Sequence, residues 1–296
     1  MNFQDIARRF RIDKPDKFRM ADHDPADTNG LSTDKGDGKD VLEKGVERLG
    51  NLQNILYAEN RWAVLIVLQG MDTAGKDGII DHVMAAVEPQ GCEVTAFKQP
   101  SAEELGHDFL WRVAKRLPTR GRIGIFNRSY YEDVVVVRVH PDLLQKQQLP
   151  PALVGKNVWE QRFEDIRSFE QHLARSGTLV LKFFLNVSRD EQRQRLLDRL
   201  DDPDKRWKFS MSDIAERALW PKYMEAYEEA IRATSTKEAP WFVVPADKKW
   251  LSRLVVAAAV IDAIENLGLK FPKVDDAELK EMAEVRKALV AEKGGK

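Results

Sequence analysis

Hydrophobic and polar positions along the chain follow two spacings, one typical of helices and one typical of buried strands. In residues 40–60, apolar side chains recur at steps of three and four, which predicts an amphipathic helix. An unbroken apolar run, residues 62–68, follows directly and ends near Gly70. A short, β-branched run of this kind is typical of a strand that is buried on both faces.

The alternation of the two patterns continues along the chain. It predicts further strands at residues 93–97, 122–127, 178–186 and 241–245, and helices at residues 78–88, 101–116, 157–175, 188–200, 211–234 and 248–267. This order predicts a three-layer α/β domain, in which a mostly parallel sheet of five strands carries helices on both faces. Ligands of such sheets bind beyond the carboxyl ends of the strands.

The two ends of the chain differ from its middle. Residues 13–40 are rich in Asp, Lys, Gly and Pro, so we expect residues 1–39 to form an extended or loosely packed arm. The main domain is expected at residues 40–271. Residues 272–296 are strongly charged and predict a peripheral helical tail.

Composition argues against several classes of protein. Of the 296 residues, 43% are apolar, which is enough for a substantial core. The net charge of −1 argues against a generally basic nucleic-acid-binding protein. The longest apolar runs are well below the ~20 residues of a membrane helix, and no secretory signal is visible. We therefore expect a cytoplasmic protein with neither a nucleic-acid nor a membrane partner.

The clearest chemical signal lies between the first predicted strand and the next helix. Gly70, Gly75 and Lys76 match the phosphate-loop spacing G-x-x-x-x-G-K, in which backbone N–H groups surround an anion and the lysine adds a positive charge. Asp77 stands where Ser or Thr usually binds magnesium, so the metal needs other oxygens. Asp72 inside the loop either faces a divalent cation or caps a loop N–H. The expected phosphate-binding residues are Gly70, Thr73, Ala74, Gly75, Lys76, Asp77 and Gly78.

An arginine and two acids follow the third predicted strand. Asn127 ends that strand, Arg128 comes next, and Glu132 and Asp133 lie within the following turn. A second metal-binding acid of a phosphate-loop enzyme belongs at this place, and Arg128 can bind phosphate oxygens through two N–H groups. The alternative is a surface arginine beside a solvated acidic pair.

Basic residues are concentrated in one stretch of the chain. Residues 109–131 contain no Asp or Glu but include Arg112, Lys115, Arg116, Arg120, Arg122 and Arg128. This local excess predicts a groove for a polyanion, although a solvated basic helix face would give the same pattern. In residues 188–210, Arg195 and Arg199 share one helix face. They predict a lid over bound phosphates, or an exposed helix with internal ion pairs.

These motifs together resemble the polyphosphate kinase 2 family over residues 40–271. QGMDTAGKDG is similar to its phosphate loop, and FNRSYYEDV is similar to its second acidic motif. Residues 97–112, 181–209 and 239–253 also resemble family segments, in the expected order. The resemblance implies a thymidylate kinase-like phosphate-loop core with a lid at residues 188–210 (the lid segment). It also implies a homo-oligomer, either a dimer or a tetramer.

The resemblance further implies an activity, which is reversible, Mg²⁺-dependent transfer of a phosphoryl group between inorganic polyphosphate and ADP, with Mn²⁺ a possible substitute. Asn127 is similar to the class III pattern, in which AMP is phosphorylated as well as ADP and the product is ATP. The implied metal ligands are Asp72 with Glu132 or Asp133, and the implied catalytic residues are Asp72, Lys76, Arg128 and Asp133. Asn127, Glu132, Arg195, Arg199 and Lys208 are expected to bind nucleotide or phosphate. The expected polyphosphate channel is formed by Lys98, Arg112, Lys115, Arg116 and Lys205.

Two other functions use the same motifs. An ATP-dependent nucleoside monophosphate kinase would need the same loop and lid, but two bound nucleotides would not need the long basic stretch. A nucleotide-binding regulatory protein without turnover is disfavoured, because Lys76 and both acidic motifs are present.

Overall fold

In the computed structural model, which describes residues 2–31 and 35–292, five strands form one parallel sheet. The strands are β1 (Ala63–Gln69), β2 (Cys92–Ala96), β3 (Ile123–Asn127), β4 (Thr178–Asn186) and β5 (Trp241–Pro245). The helices are α1 (Phe3–Phe10), α2 (Lys35–Glu59), α3 (Lys76–Val83), α4 (Ala102–Leu105), α5 (Trp111–Ala114), α6 (Glu132–Val139), α7 (Pro141–Lys146), α8 (Val158–Arg175), α9 (Arg189–Asp201), α10 (Met211–Ala218), α11 (Trp220–Thr234), α12 (Lys249–Glu265) and α13 (Asp276–Ala291). The predicted three-layer α/β architecture is confirmed.

The strand order β2-β3-β1-β4-β5 places β1 at the centre of the sheet. All seven residues of β1 are buried, as its continuous apolar sequence predicted. Leu68 of β1 pairs with Asn127 of β3 and with Phe183 of β4, so the carboxyl ends of these strands lie level. The chain passes from β1 to β2 on one side of the sheet, and after β3 it crosses to β4 on the other side of β1. Parallel sheets bind ligands where the strand order reverses in this way.

Helices cover both faces of the sheet. On one face α12 packs against α1, α2 and α3, and on the other α11 packs against α6 and α8. Helix α12 supplies a large part of the core, with nearly every residue from Leu251 to Ile261 buried. Among the described helices, none is both long and apolar enough to cross a membrane.

The amino-terminal region corrects the expectation of an extended, loosely packed arm. Residues 3–10 form a helix whose Ile6 and Phe10 are buried, and Phe18 and Leu31 are only 3% exposed. The Ile12 N–H donates to the carbonyl of Trp241 in β5 at 2.9 Å. Residues 13–40 are polar on average, but their few apolar side chains Phe18 and Leu31, together with the apolar face of α1, pack against the core.

Several helix boundaries also differ from the predicted ones. The helix expected at residues 101–116 is two short helices, because α4 ends at Gly106 and the Asp108 side chain accepts from the N–H of Leu110 before α5. The helix expected at residues 211–234 is interrupted at Leu219, and Pro221 lies in the first turn of α11. Helices α6 and α7 occupy a segment for which the sequence pattern made no prediction.

Candidate active site

A cleft of about 1390 Å³ lies at the carboxyl edge of the sheet. The loops after β1, β2 and β3, the lid segment and the first turns of α12 line it. Lys and Arg side chains alternate with nearly as many carboxylates along its walls. A cleft of this composition suits a strongly anionic ligand that arrives with a cation.

The loop between β1 and α3 has the backbone shape that the phosphate-loop motif predicts. Gly70 and Gly75 have φ of 149° and 110°, and Thr73 has φ of 63°. A Cβ at Gly70 would lie 2.9 Å from the carbonyl oxygen of Leu185, so only glycine fits there. Thr73 holds a left-handed conformation that is unfavourable for a β-branched residue, a kind of strain that concentrates at functional sites.

Lys76 reaches back over this loop. Its Nζ donates to the carbonyl oxygens of Gly70 at 2.8 Å and Met71 at 3.2 Å, and the residue is 8% exposed. Burial, and after it the positive charge of Arg128, lowers the pKa of Lys76 to about 8. The lysine therefore carries its charge at neutral pH in a partly dehydrated position, where an anion would bind strongly.

Arg128 joins the two acidic motifs. One terminal nitrogen lies 2.5 Å from Oδ1 of Asp72, and the other lies 3.3 Å from Oε2 of Glu132. Its φ is 66°, and its N–H donates to the carbonyl of Leu68 at 3.0 Å. Burial acts to lower the pKa of Arg128, but the carboxylates of Glu132 and Asp72 raise it above its usual value. The loop carboxylate, the arginine and the second acid thus form one connected group.

The donor set of this group fits a magnesium ion that keeps most of its ligands from the substrate. Mg²⁺ is usually held by one or two carboxylates together with phosphate oxygens and waters. Asp72 and Glu132 supply two carboxylates beside the phosphate loop. Within residues 2–31 and 35–292, no group of three or more His, Cys, Asp and Glu is arranged as a complete metal cage. Such a site would need the phosphates of its substrate to complete the coordination.

Asn127 contacts the phosphate loop directly. Its Nδ2 donates to Oδ1 of Asp77 at 2.7 Å. Asp77 occupies the position where most phosphate loops carry Ser or Thr, so this bond links the end of β3 to the first turn of α3. A carboxylate at position 127 would repel the Asp77 carboxylate, whereas the amide of Asn127 donates a hydrogen bond to it.

Asp133 does not join the group formed by Asp72, Arg128 and Glu132. It is 4% exposed, and its Oδ1 accepts from Nε2 of Gln147 at 2.7 Å. Burial raises the pKa of Asp133 to about 6, although Arg162 and Arg112 limit the rise. Its side chain is held by Gln147 at the end of α7 and forms no hydrogen bond or ion pair with Arg128, so of the two acids left open as a metal ligand it is Glu132 that belongs to this group.

Arg195 has a different role from the expected one. Its side chain donates to the carbonyls of Thr73 and Ala74, both at 3.0 Å, and to the carbonyl of Ala246 at 2.6 Å. It also pairs with Glu191 at 2.8 Å, and its side chain is 7% exposed. The prediction that Arg195 closes on phosphates is corrected, because its donors already hold the phosphate loop against the loop after β5.

Three further basic residues of the lid segment, Arg199, Lys205 and Lys208, line the cleft. Arg199 lies 3.5 Å from Oδ2 of Asp213 and donates to the carbonyl of Lys208 at 3.2 Å. Lys205 pairs with Asp202 in an exposed contact at 2.5 Å. The Lys205–Asp202 pair is the weak, solvent-screened kind that a bound polyanion could replace, whereas the Arg199–Asp213 pair is largely shielded from solvent.

The residues predicted to form the polyphosphate channel are divided by the fold. Lys98 and Arg112 line the cleft, and Arg112 donates to the carbonyl of Lys98 at 2.9 Å. Lys115 instead lies 4.0 Å over the ring of Trp111, and neither Lys115 nor Arg116 lines the cleft. Their place in the channel is corrected, because α5 ends at Ala114 and the next residues turn away toward the start of β3.

The remaining members of the basic stretch lie still farther away. Arg120 and Arg122 line a separate depression of about 1040 Å³ at the amino edge of the sheet. Strand β3 separates them from Arg128, so a continuous basic stretch in sequence becomes two surfaces in space.

Several cleft residues were not singled out in the sequence. They include His140, Lys146, Trp207, Glu216, Lys249 and Arg253. Lys249 and Arg253 stand in the segment 239–253 that resembles the family, immediately after a predicted strand, which is the signal that could have identified them. His140 Nε2 lies 2.9 Å from Oε2 of Glu216. These two residues are far apart in sequence, so only the tertiary structure reveals their contact.

A buried polar network lies behind the Arg128 group. Glu170 accepts from the hydroxyls of Tyr130 at 2.8 Å and Tyr131 at 2.9 Å, and its other oxygen lies 2.5 Å from Nζ of Lys182. Lys182 is fully buried and also donates to the carbonyl of Thr234 at 2.7 Å. Because the two tyrosines directly follow Ser129, the network fixes the backbone that carries Arg128 and Glu132.

Comparison with known proteins identifies close relatives. Residues 32–272 match the family model of polyphosphate kinase 2. The ADP-polyphosphate phosphotransferase of Rhodopseudomonas palustris is 47% identical over 285 residues, which covers 96% of this chain and 98% of the relative. The AMP/ADP-polyphosphate phosphotransferase of Meiothermus ruber is 45% identical over 270 residues, with 91% and 97% covered.

A solved structure shares the whole fold. The crystal structure of polyphosphate kinase 2 from Arthrobacter aurescens TC1 has 42% sequence identity and a TM-score of 0.86. The match covers 99% of this chain and 98% of that chain.

Proposed function

The chain belongs to the polyphosphate kinase 2 family, and from this premise we propose that it transfers a phosphoryl group between inorganic polyphosphate and ADP, and between polyphosphate and AMP. The names of the two relatives described above support these acceptors. An ATP-dependent nucleoside monophosphate kinase is not favoured by those names. The similarity of Asn127 to the class III pattern supports AMP as the additional acceptor.

One observation carries the proposal, which is the convergence of Lys76, Asp72, Arg128 and Glu132 at the phosphate loop. Lys76 and the loop N–H groups bind the terminal phosphates of the donor. Arg128 is placed to contact the group in transfer, because it lies between the two carboxylates. Positioning and charge neutralisation account for most catalysis of phosphoryl transfer.

The transfer itself is a direct displacement. An oxygen of the acceptor phosphate forms a bond to the terminal phosphorus of polyphosphate, and the bond to the next bridging oxygen breaks, leaving a chain one phosphate shorter. The acceptor oxygen is already anionic at neutral pH, so the residues need not remove a proton. Lys76 and Arg128 stabilise the charge that moves to the bridging oxygen.

Asp72 and Glu132 are the proposed metal ligands, and Glu132 is preferred to Asp133 for the reasons of geometry given above. Mg²⁺ bound there would neutralise phosphate charge and align donor with acceptor. A chelator should abolish turnover, and Mg²⁺ and Mn²⁺ added back separately would show which ion restores it.

The test of the function is ATP formation from long-chain polyphosphate and Mg²⁺, with ADP and with AMP in parallel. ATP from both acceptors, lost in Lys76→Ala, is the expected result. ATP from ADP alone would remove AMP from the proposal. Turnover only when ATP is supplied with a nucleoside monophosphate would overturn it in favour of the nucleotide kinase.

We also propose a homo-oligomer, on the family resemblance alone. Light scattering coupled to size exclusion would give the mass directly. A mass of one chain, 33.9 kDa, would contradict it.

A further inference from the structure

Four arginines lie together at the amino edge of the sheet, outside the cleft. They are Arg61, Arg120, Arg122 and Arg175 (the amino-edge arginines), and all four are exposed. At about 3.3 Å per residue, the seven residues of β1 separate this edge from the phosphate loop by roughly 20 Å. None of the four lines the cleft, so the proposed function gives them no role.

Hydrogen bonds hold the loops that carry these arginines against one another. The Gly121 N–H, before β3, donates to the carbonyl of Trp62, before β1, at 2.7 Å. Nη2 of Arg120 donates to the carbonyl of Ser176, before β4, at 3.3 Å. Gly121 has φ of 78°, and a Cβ there would lie 2.8 Å from Oδ1 of Asn60, so glycine permits this close approach. The sheet thus brings arginines that are distant in sequence to one surface.

These loops surround the depression of about 1040 Å³ at the amino edge. Arg120 and Arg122 line it, and Arg61 and Arg175 each adjoin a lining residue along the chain. Among the described residues that line it, none is acidic. Guanidinium groups beside neutral polar groups suit phosphate oxygens, to which they donate charge-assisted hydrogen bonds. The neutral polar side chains here are those of Tyr57, Asn60, Thr119, Ser176 and Thr178.

The amino-edge arginines also lack the partners that several other exposed arginines have. Arg19, Arg48 and Arg232, for example, each have a carboxylate oxygen within 4.0 Å. In the part of the chain that the structure describes, none of the amino-edge arginines has a carboxylate oxygen within that distance. Their charges therefore repel one another without compensation, and a bound polyanion would remove this repulsion.

A structural role accounts for only part of this arrangement. Arg175 stands in the last turn of α8, where the helix dipole stabilises a cation. Arg120 and Arg122 stand in the turn before β3 instead. The acceptor of Arg120 is a carbonyl, which carries no net charge, so the charges of these two side chains are left for an external anion.

The ligand that fits is a long chain of phosphates. Single-stranded nucleic acids stack successive bases on several aromatic side chains, whereas Tyr57 is the one aromatic residue among the described residues that line the depression. Lys115 and Arg116 are exposed and follow Arg112 of the cleft in sequence. Because residues 109–131 contain no Asp or Glu, this segment does not repel a polyanion that extends from the cleft to the depression.

We infer that the amino-edge arginines bind a remote stretch of the polyphosphate substrate while its terminal phosphate reacts in the cleft. The inference rests on the proposed function and adds to it a second binding site on the opposite edge of the sheet. A chain that is held at two points has a high effective concentration at the phosphate loop, so it binds more tightly than either contact alone would allow. Tripolyphosphate is too short to reach both places.

The test measures KM in Arg120→Ala/Arg122→Ala for three ligands: long-chain polyphosphate, tripolyphosphate and ADP. Loss of two of the four cations should raise KM for the long chain by about five- to tenfold, because the second point of attachment is weakened. The value of kcat, and KM for tripolyphosphate and ADP, should stay within about twofold, because these ligands reach the cleft alone. The matched control is Arg19→Ala/Arg48→Ala, which removes two exposed arginines that line neither cavity, and it should behave as the parent.

Equilibrium binding separates the second site from the activity. Long-chain polyphosphate should bind Lys76→Ala/Arg120→Ala/Arg122→Ala about five- to tenfold more weakly than Lys76→Ala at the same ionic strength. If the parent makes no ATP but this difference in binding is found, the proposed function is wrong and the second site stands.

The inference itself has several ways to fail. Unchanged binding, or an unchanged KM for the long chain, would overturn it. An equal rise in KM for tripolyphosphate would do the same, because the arginines would then act through the cleft. A lower midpoint of urea unfolding with unchanged KM would make the arginines structural. Single-stranded DNA that binds the parent as tightly as polyphosphate, and more weakly after Arg120→Ala/Arg122→Ala, would assign the surface to nucleic acid.

Discussion

Two ion pairs of the same length, 2.5 Å, lie on opposite sides of the candidate active site and have different consequences. Lys182–Glu170 lies behind the Arg128 group with both side chains at most 1% exposed. Lys205–Asp202 lies in the lid segment, with the side chains 63% and 34% exposed. The buried pair is satisfied by tyrosines and cannot change partners, whereas the exposed pair is screened by water. The Arg128 group and the buried network behind it therefore form a fixed platform, whereas Lys205 of the lid segment is held only by an exposed, screened ion pair.

The largest expected effect is at the front of the platform. Arg128→Ala should lower kcat by about 10³–10⁵-fold, because it removes the cation between Asp72 and Glu132 that we propose contacts the transferred group. The free energy of unfolding should change little, since the side chain is partly exposed. Steady-state kinetics and urea unfolding on the same preparation check both. Arg128→Lys keeps the charge but loses the two-pronged geometry, so its kcat should fall between parent and alanine variant.

Changes in the buried Glu170–Lys182 network, at the back of the platform, should reduce the free energy of unfolding. Glu170→Ala leaves the Lys182 charge unpaired and the Tyr130 hydroxyl buried without its acceptor, and should reduce the free energy of unfolding by about 3–5 kcal/mol. Denaturant titration measures this. The paired change Glu170→Leu with Lys182→Met removes both charges and should lose less than the single change. An equal or larger loss in the paired variant would show that packing, rather than the unpaired charge, dominates.

The next prediction distinguishes Glu132, which lies at the front of the platform, from the buried Asp133 as the metal ligand. Glu132→Gln should lower kcat by about 10²–10³-fold, because Glu132 faces Arg128 and the proposed metal. Asp133→Asn should keep most activity, since Asp133 is buried against Gln147 and its pKa is raised to about 6. Metal titration of activity in both variants separates them. A larger loss for Asp133→Asn, with a raised requirement for Mg²⁺, would return the metal to Asp133.

Titration of Lys76 gives the next smaller effect. Burial lowers its pKa to about 8, so the charged form, which we propose binds phosphate, predominates below pH 8 and is lost above it. The value of kcat/KM for polyphosphate reports the free enzyme and should fall about tenfold per pH unit above pH 8. In contrast, kcat should hold to higher pH, because bound phosphate stabilises the charged lysine. A flat kcat/KM up to pH 10 would contradict the lowered pKa.

How far the sequence predicted this arrangement depends on whether a feature is local. Gly70 and Lys76 lie within seven residues, so spacing alone identified their loop and the strand–loop–helix around it. The hydrogen bonds of the Arg195 side chain could not be predicted, because its acceptors are backbone carbonyls that are distant in sequence. The packed amino terminus was predictable in part: Phe3, Ile6, Ala7 and Phe10 recur at helical spacing, but the polar composition of residues 13–40 hid this short pattern.

The smallest expected effect is in the lid segment, and it tests whether the exposed pair differs from the buried one. Lys205→Ala should leave the midpoint of urea unfolding unchanged within error, because exposed pairs of long side chains contribute little to stability. KM for polyphosphate should rise about two- to threefold at low salt, and the difference should shrink as ionic strength screens the lysine. If Lys205→Ala destabilised the fold as Glu170→Ala is expected to, the pair with Asp202 would be part of the platform. The lid would then have no free cation at this position to exchange for substrate.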